Sequence, residues 1–293
     1  MLLFYTCVTK QVGNQCEEGF TLDQAGIANR AFSSNFTTIA AGKEKNITSF
    51  FAVHDTFFDN GVGLRKDWRE AWDALQLKIE PLVQSGTIVG FFVGDELFPG
   101  KISFEDFMTC IQALQEMKAR YPDLVTWENE GGTSWVDYFQ DGLPAELDII
   151  SMDDYYMWED GTTSPQSQVD GHRRFYEEKI YPLLKPHQRV FLVPGSFATH
   201  DPRGPIDPKY PNGNLTYCYD GTFDGCDRLM ADQARAYAAW ASEDPLVTGI
   251  APWHWDTREI GIVTPFKEVG VVDMPKTKEA WRAIGAKLSG RRS

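Results

Sequence analysis

The sequence contains no apolar run near the ~18 residues that a membrane-spanning helix needs, no internal repeat, and no Gly/Ser-rich linker that would part it into domains. It is also short of positive charge. Lys and Arg total 28 against 42 Asp and Glu, a net charge of −14. This balance works against nucleic acids and anionic membranes as partners, since both need a cationic surface, and it suits a neutral substrate. Five cysteines are too few for a disulfide scaffold, and neither HxH nor HExxH spacing occurs. A classical zinc signature is therefore missing.

What is present points to one domain over residues 1–293. A length of 293 residues suits a single α/β barrel, which typically takes about 250. The polar, Gly-rich stretch CYDGTFDGC (218–226) suits a local loop bridge between Cys218 and Cys226. The triplets beginning at Asn35, Asn46 and Asn214 are candidate N-glycosylation sites. Both favour a secreted or lumenal glycoprotein over a cytoplasmic protein with reduced thiols. MLLFYTCV lacks a basic leader and reads as a strand rather than a signal peptide, so any leader is expected to be absent from this chain.

Eight β-rich runs are expected as strands: LLFYTCV (2–8), FTTIAA (36–41), SFFAVHD (49–55), IVGFFVGDE (88–96), LVTWENE (124–130), LDIISMDDYY (147–156), RVFLVPGSF (189–197) and VTGIAPWHW (247–255). Helical periodicities lie between most of them. Trp68, Trp72, Leu75, Ile79 and Leu82 fall on one face, as do Phe104, Phe107, Ile111, Leu114 and Met117, and Ser103 offers an N-cap. Further helices are expected at 171–185, 227–243 and 277–288, with His172 and His187 solvated. Alternating strands and helices predict an α/β fold, a (β/α)8 TIM barrel. One unit is irregular. Only GKEKNIT separates FTTIAA from SFFAVHD, fewer than the dozen or so residues of a parallel crossover.

The strand ends are strongly polar and the strand starts are not. His54 and Asp55, Asp95 and Glu96, Glu128 and Glu130, Asp153 with Asp154, Tyr155 and Tyr156, His200 and Asp201, and His254 and Asp256 with the neighbouring Trp253 and Trp255 all close strands. In a barrel that end carries the chemistry. Acids and aromatics on one rim suit a carbohydrate, since aromatic faces stack on sugar C–H surfaces and carboxylates bind hydroxyls. Two carboxyls are also what cleavage of a glycosidic bond requires.

Glu96, ending the fourth expected strand, resembles the acid/base position of retaining (β/α)8-barrel glycosidases. Those carry Asn-Glu where this chain has Asp95-Glu96, and a nucleophilic Glu on strand seven where it has VPGSF (193–197). Gly94-Asp95-Glu96 is similar to the Gly-Asp-Glu of β-N-acetylhexosaminidases. That resemblance implies Glu96 as general acid and Asp95 as the residue that orients the substrate's 2-acetamido group. Trp127-Glu128, Tyr155/Tyr156 and Trp253/Trp255 resemble the aromatic walls of those pockets. The expectation is a glycoside hydrolase with catalytic Glu96 and Asp95. Its expected substrate-binding residues are His54, Asp55, Trp127, Glu128, Asp153, Asp154, Tyr155, Tyr156, Trp253, His254, Trp255 and Asp256, with a carbohydrate substrate, no metal and no cofactor. Two alternatives are a metal-dependent barrel hydrolase or isomerase using His54, His200 and His254 with Asp153 or Asp256, and a non-catalytic carbohydrate-binding barrel. Sugar identity, linkage and oligomeric state are not legible.

Overall fold

The computed structural model describes residues 27–59, 63–98, 102–154, 164–200, 222–253, 257–260 and 266–290. Seven strands, β1 (Arg30–Ser33), β2 (Thr48–Ala52), β3 (Ile88–Asp95), β4 (Val125–Gly131), β5 (Ile149–Asp154), β6 (Arg189–Pro194) and β8 (Val247–Ile250), form a parallel sheet in chain order. A small antiparallel sheet joins β7 (Ala198–His200), β10 (Phe266–Val269) and β9 (Arg258–Ile260). The helices are α1 (Phe36–Glu44), α2 (His54–Phe57), α3 (Trp68–Gln84), α4 (Phe104–Arg120), α5 (Ser134–Tyr138), α6 (Pro165–Phe175), α7 (Phe223–Glu243) and α8 (Pro275–Gly290).

The parallel sheet is curled. Phe50 on β2 and Phe191 on β6 sit four strands apart in the sheet order, which would separate them by about 19 Å in a flat sheet. Their ring centroids are 6.0 Å apart. Phe32 on β1 likewise meets Trp127 on β4 at 6.0 Å. These rings, with Phe92, Ile149 and Val193, fill the inside of the curl, while the outer face packs on the helices. Among the described residues β1 and β8 do not pair with each other, so the arrangement is an open half-barrel rather than the expected closed (β/α)8 barrel. LLFYTCV, an expected strand, lies outside the described residues.

FTTIAA is helical, not a strand. The Asn35 side chain accepts from the Thr37 and Thr38 amides at 2.8 and 3.3 Å, an N-cap that starts α1. The strand of that unit is the preceding RAFS, and the 14 residues from 34 to 47 then make an ordinary crossover. The irregular unit disappears. On the expected face of α3, Trp72 and Ile79 are buried and Trp68, Leu75 and Leu82 are half-buried against the core; the expected face of α4 is buried except Phe104, which is 53% exposed. Ser103 caps α4 by accepting from the Asp106 amide at 3.1 Å. The helix expected over 171–185 passes from α6 into a π-turn at Tyr176–Ile180 and a 3-10 turn at Tyr181–Leu183, where Pro182 has no N–H to give. His172 is half-buried rather than freely solvated. Its Nδ1 meets Tyr237 Oη at 2.7 Å, and burial lowers its pKa to about 4.

Within CYDGTFDGC, expected as a loop, Phe223–Cys226 form the first turn of α7, capped by Thr222. Cys226 is disulfide-bonded and Cys110 is free and buried. Cys218, the expected partner of Cys226, lies outside the described residues. No helix among the described residues is long and apolar enough to cross a membrane.

Candidate functional site

A regular strand points adjacent residues to opposite faces, so Asp95 should face the helices if Phe92 faces inward. The register between β3 and β4 breaks this rule. Phe92 pairs with Trp127 but Asp95 pairs with Asn129, three steps on one strand against two on the other. This bulge turns Asp95 to the inner face, beside Asn129. Gly94 makes the turn possible, since a Cβ there would collide with the Leu97 side chain folded over it. Glu96 then adopts φ 50°, the left-handed region that costs a non-glycine residue about 1–2 kcal/mol. Its amide donates to Asn129 O at 2.9 Å, and its carboxyl lies against Gly131, where any Cβ would meet Glu96 Oε1. Both acids are exposed at the rim.

Beneath them runs a directed chain of hydrogen bonds. Trp127 Nε1 donates to Ser151 Oγ at 2.8 Å, and Ser151 Oγ donates to Asn129 Oδ1 at 2.6 Å. This fixes the amide of Asn129 so that its two N–H bonds point to Asp95 Oδ1 and Asp153 Oδ1, each at 2.7 Å. One neutral donor thus holds two carboxylates and offsets their repulsion. Asp153 is only 9% exposed, and the indole of Trp135 braces its strand by donating to Ser151 O at 2.7 Å.

The other expected site residues are scattered in role. Trp127 is fully buried, its ring 4.5 Å from Phe92 and 5.2 Å from Phe191, so it packs under the site rather than walling it. Glu128 and Glu130 alternate with Trp127 and Asn129 and therefore face the helix layer, both at 0% exposure. Glu128 is closed off from the rim on which it was expected. His54 opens α2 directly after β2, and its Nδ1 donates to Asp55 Oδ1 at 3.1 Å, which holds the Asp55 carboxyl below its usual range. Trp253 is half-buried against the inner rings, with its amide donating to Pro194 O at 2.9 Å. Asp154 is placed only as the last residue of β5. Tyr155, Tyr156, His254, Trp255 and Asp256 lie outside the described residues.

After β6 the chain reads Gly195-Ser196-Phe197, with no carboxyl. Gln233 and Trp281 seal that end by donating to Gly195 O at 3.0 Å and Ser196 Oγ at 3.2 Å. Among the described residues no group of three His, Cys, Asp or Glu converges as a metal site. Sequence reasoning missed Asn129 and Ser151, although each sits two residues from an inward-facing neighbour, Trp127 and Asp153.

No family model matches the chain, and no curated protein matches it in sequence. Solved structures match in fold. A Faecalibacterium prausnitzii β-glucuronidase aligns over 94% of this chain and 47% of its own, with TM-score 0.56 and 13% identity. A Bifidobacterium dentium β-glucuronidase complexed with coumarin-3-O-glucuronide aligns over 90% and 42%, with TM-score 0.56 and 13% identity. A Ruminococcus gnavus β-glucuronidase aligns over 90% and 45%, with TM-score 0.52 and 12% identity. The chain spans less than half the length of each. It has the glycoside-hydrolase-like α/β fold with a curled parallel sheet, a likeness of fold that does not single out the hexosaminidases.

Proposed function

We propose that the chain is a glycoside hydrolase in which Glu96 protonates the departing glycosidic oxygen and Asp95 orients the group that replaces it. The observation that carries this reading is the bulge in β3, which brings Asp95 to the inner face beside Glu96 on the C-terminal rim of the sheet. Fold alone does not license a reaction, whereas two neighbouring acids on that rim supply a proton donor and a fixed carboxylate. Because Asn129 bonds both carboxylates, Asp95 Oδ1 and Asp153 Oδ1 are no more than about 5.4 Å apart.

The substrate is a neutral carbohydrate, consistent with the net charge of −14 and the half-buried Trp253 available for stacking. A non-catalytic carbohydrate-binding barrel is the second reading, favoured by the acid-free end of β6. A panel of aryl glycosides, including 2-acetamido sugars, assayed with and without chelator, separates the two. Chelator-resistant turnover is expected, and Glu96→Gln should lower it by about 10²-fold or more while sugar binding persists. Binding without turnover in the wild type, or near-normal turnover of poor leaving groups by Glu96→Gln, would overturn the assignment.

A further inference from the structure

Glu128 and Glu130 lie on the helix-facing side of β4, about 7 Å apart along the strand, and neither has any exposure. Of their four carboxyl oxygens only Glu130 Oε1 receives a backbone donor, the Phe98 amide at 3.0 Å. Both oxygens of Glu128 and Oε2 of Glu130 meet no N–H or neutral O–H donor. Two bare carboxylates cannot be buried side by side, since each unpaired charge costs several kcal/mol. The remaining partner for each is the other carboxyl, and a hydrogen bond between them needs a proton.

The surroundings decide where that proton resides. Burial, and then the charge of Glu130, push the Glu128 carboxyl well above its usual range; Asp95 on β3 and Asp153 on β5 add to this from the neighbouring strands. Burial also raises Glu130, but a hydrogen bond from Glu128 and then the Phe98 amide oppose it. Glu128 is thus the donor and Glu130 the charged acceptor.

The position of Glu130 gives this pair a purpose. Residues 95–98 form the turn that carries Glu96, and β4 clamps the turn at two points. Asn129 O holds the Glu96 amide, and Glu130 Oε1 holds the Phe98 amide two residues further on. Glu96 sits between these clamps in a left-handed conformation that the surroundings must enforce. We propose that Glu128 and Glu130 are a proton-sharing pair that positions Glu96, on the reading of Glu96 as the acid, and that loss of the shared proton releases the turn.

The structural part is tested without any activity. Hydrogen exchange of the amides in residues 96–98, corrected for intrinsic rate, should show protection that falls about tenfold as pH rises while the rest of β4 stays protected. In Glu128→Gln the amide donates permanently to Glu130, so protection should persist to higher pH. In Glu130→Met, which removes the acceptor, protection should be low at every pH. The infrared band of a buried protonated carboxyl should be present in the wild type and absent in Glu128→Gln, a measurement that holds even if Glu130→Met does not fold. Where turnover is detected, the alkaline limb of kcat should move up by at least about one pH unit in Glu128→Gln, with little change in KM. Identical exchange profiles for wild type and Glu128→Gln, or no protonated-carboxyl band, would overturn the pair. An absence of turnover in every variant, with the exchange and infrared results as expected, would sink the glycosidase reading and leave the pair standing as a clamp on the turn.

Discussion

Asn129→Asp replaces one atom of the site's central donor and keeps its shape. The native amide gives one N–H to Asp95 and one to Asp153, both at 2.7 Å, and accepts from Ser151 at 2.6 Å. The substitution leaves the Ser151 bond intact and turns the two charge-assisted bonds into contacts between like charges. A hydrogen bond to a charged group is worth about 1.5–3 kcal/mol, so losing two amounts to about 3–6 kcal/mol. Asp95 is exposed and can turn to water, whereas Asp153 is 9% exposed and cannot. The expected loss is therefore about 3 kcal/mol near pH 7. The new carboxyl can recover one bond by keeping a proton, which raises its folded pKa above the unfolded value near 4. The native state then binds more protons than the unfolded state, and the defect grows with pH by up to about 1.4 kcal/mol per unit. Urea denaturation of wild type and Asn129→Asp at pH 4.5 and pH 7 measures both quantities. A loss below about 1 kcal/mol at pH 7, or one of equal size at the two pH values, would refute the two-carboxylate bridge.

Three further outcomes follow from the same geometry. Gly131→Ala places a methyl group where Glu96 Oε1 lies, so kcat should fall about tenfold or more while the urea midpoint hardly moves, because the carboxyl is at the exposed rim and can swing aside. Asp95→Asn should damage turnover of 2-acetamido sugars much more than that of plain glycosides; equal damage in a steady-state comparison would remove the orienting role. For Glu128, whose folded pKa is raised, the stabilisation is fully present below the unfolded pKa near 4.5 and is lost as pH rises, by up to about 1.4 kcal/mol per unit, so a plot of wild-type unfolding free energy against pH should slope downward where that of Glu128→Gln is flatter.

The rhythm of the fold is written in the apolar runs, because strands of a parallel sheet are covered on both faces and read as continuous hydrophobic stretches. Six of the eight expected strands coincide with observed ones for that reason. FTTIAA misleads because its β-branched residues carry strand propensity, while what decides its state is one side chain upstream. Asn35 satisfies two amides that only a helix would leave open. RAFS escapes notice because four residues with a charge at one end and a serine at the other show no apolar run, although the curled sheet buries Ser33 completely. The seven-residue gap was the available clue, since too short a crossover is evidence against the strands it connects.

The site was legible as a concentration of acids at strand ends and illegible in the direction each acid takes. Period-two alternation assigns Asp95 to the helix side and leaves Glu96 facing inward, yet the bulge brings Asp95 inside and sends Glu96 over Gly131. A bulge has no reliable signature beyond a glycine before the turn, and Gly94 supplies only that. On β4 the strand is regular and alternation suffices. Once Trp127 is placed inside with the other rings, Asn129 must follow it, and Glu128 and Glu130 must face the helices. A rim carboxylate gains from water and from a substrate's hydroxyls, but these two have neither, so their retention behind the sheet demands another cause. The proposed clamp on the turn that carries Glu96 is such a cause, and on that reading two acids expected to line the rim instead hold a third acid at the rim in place.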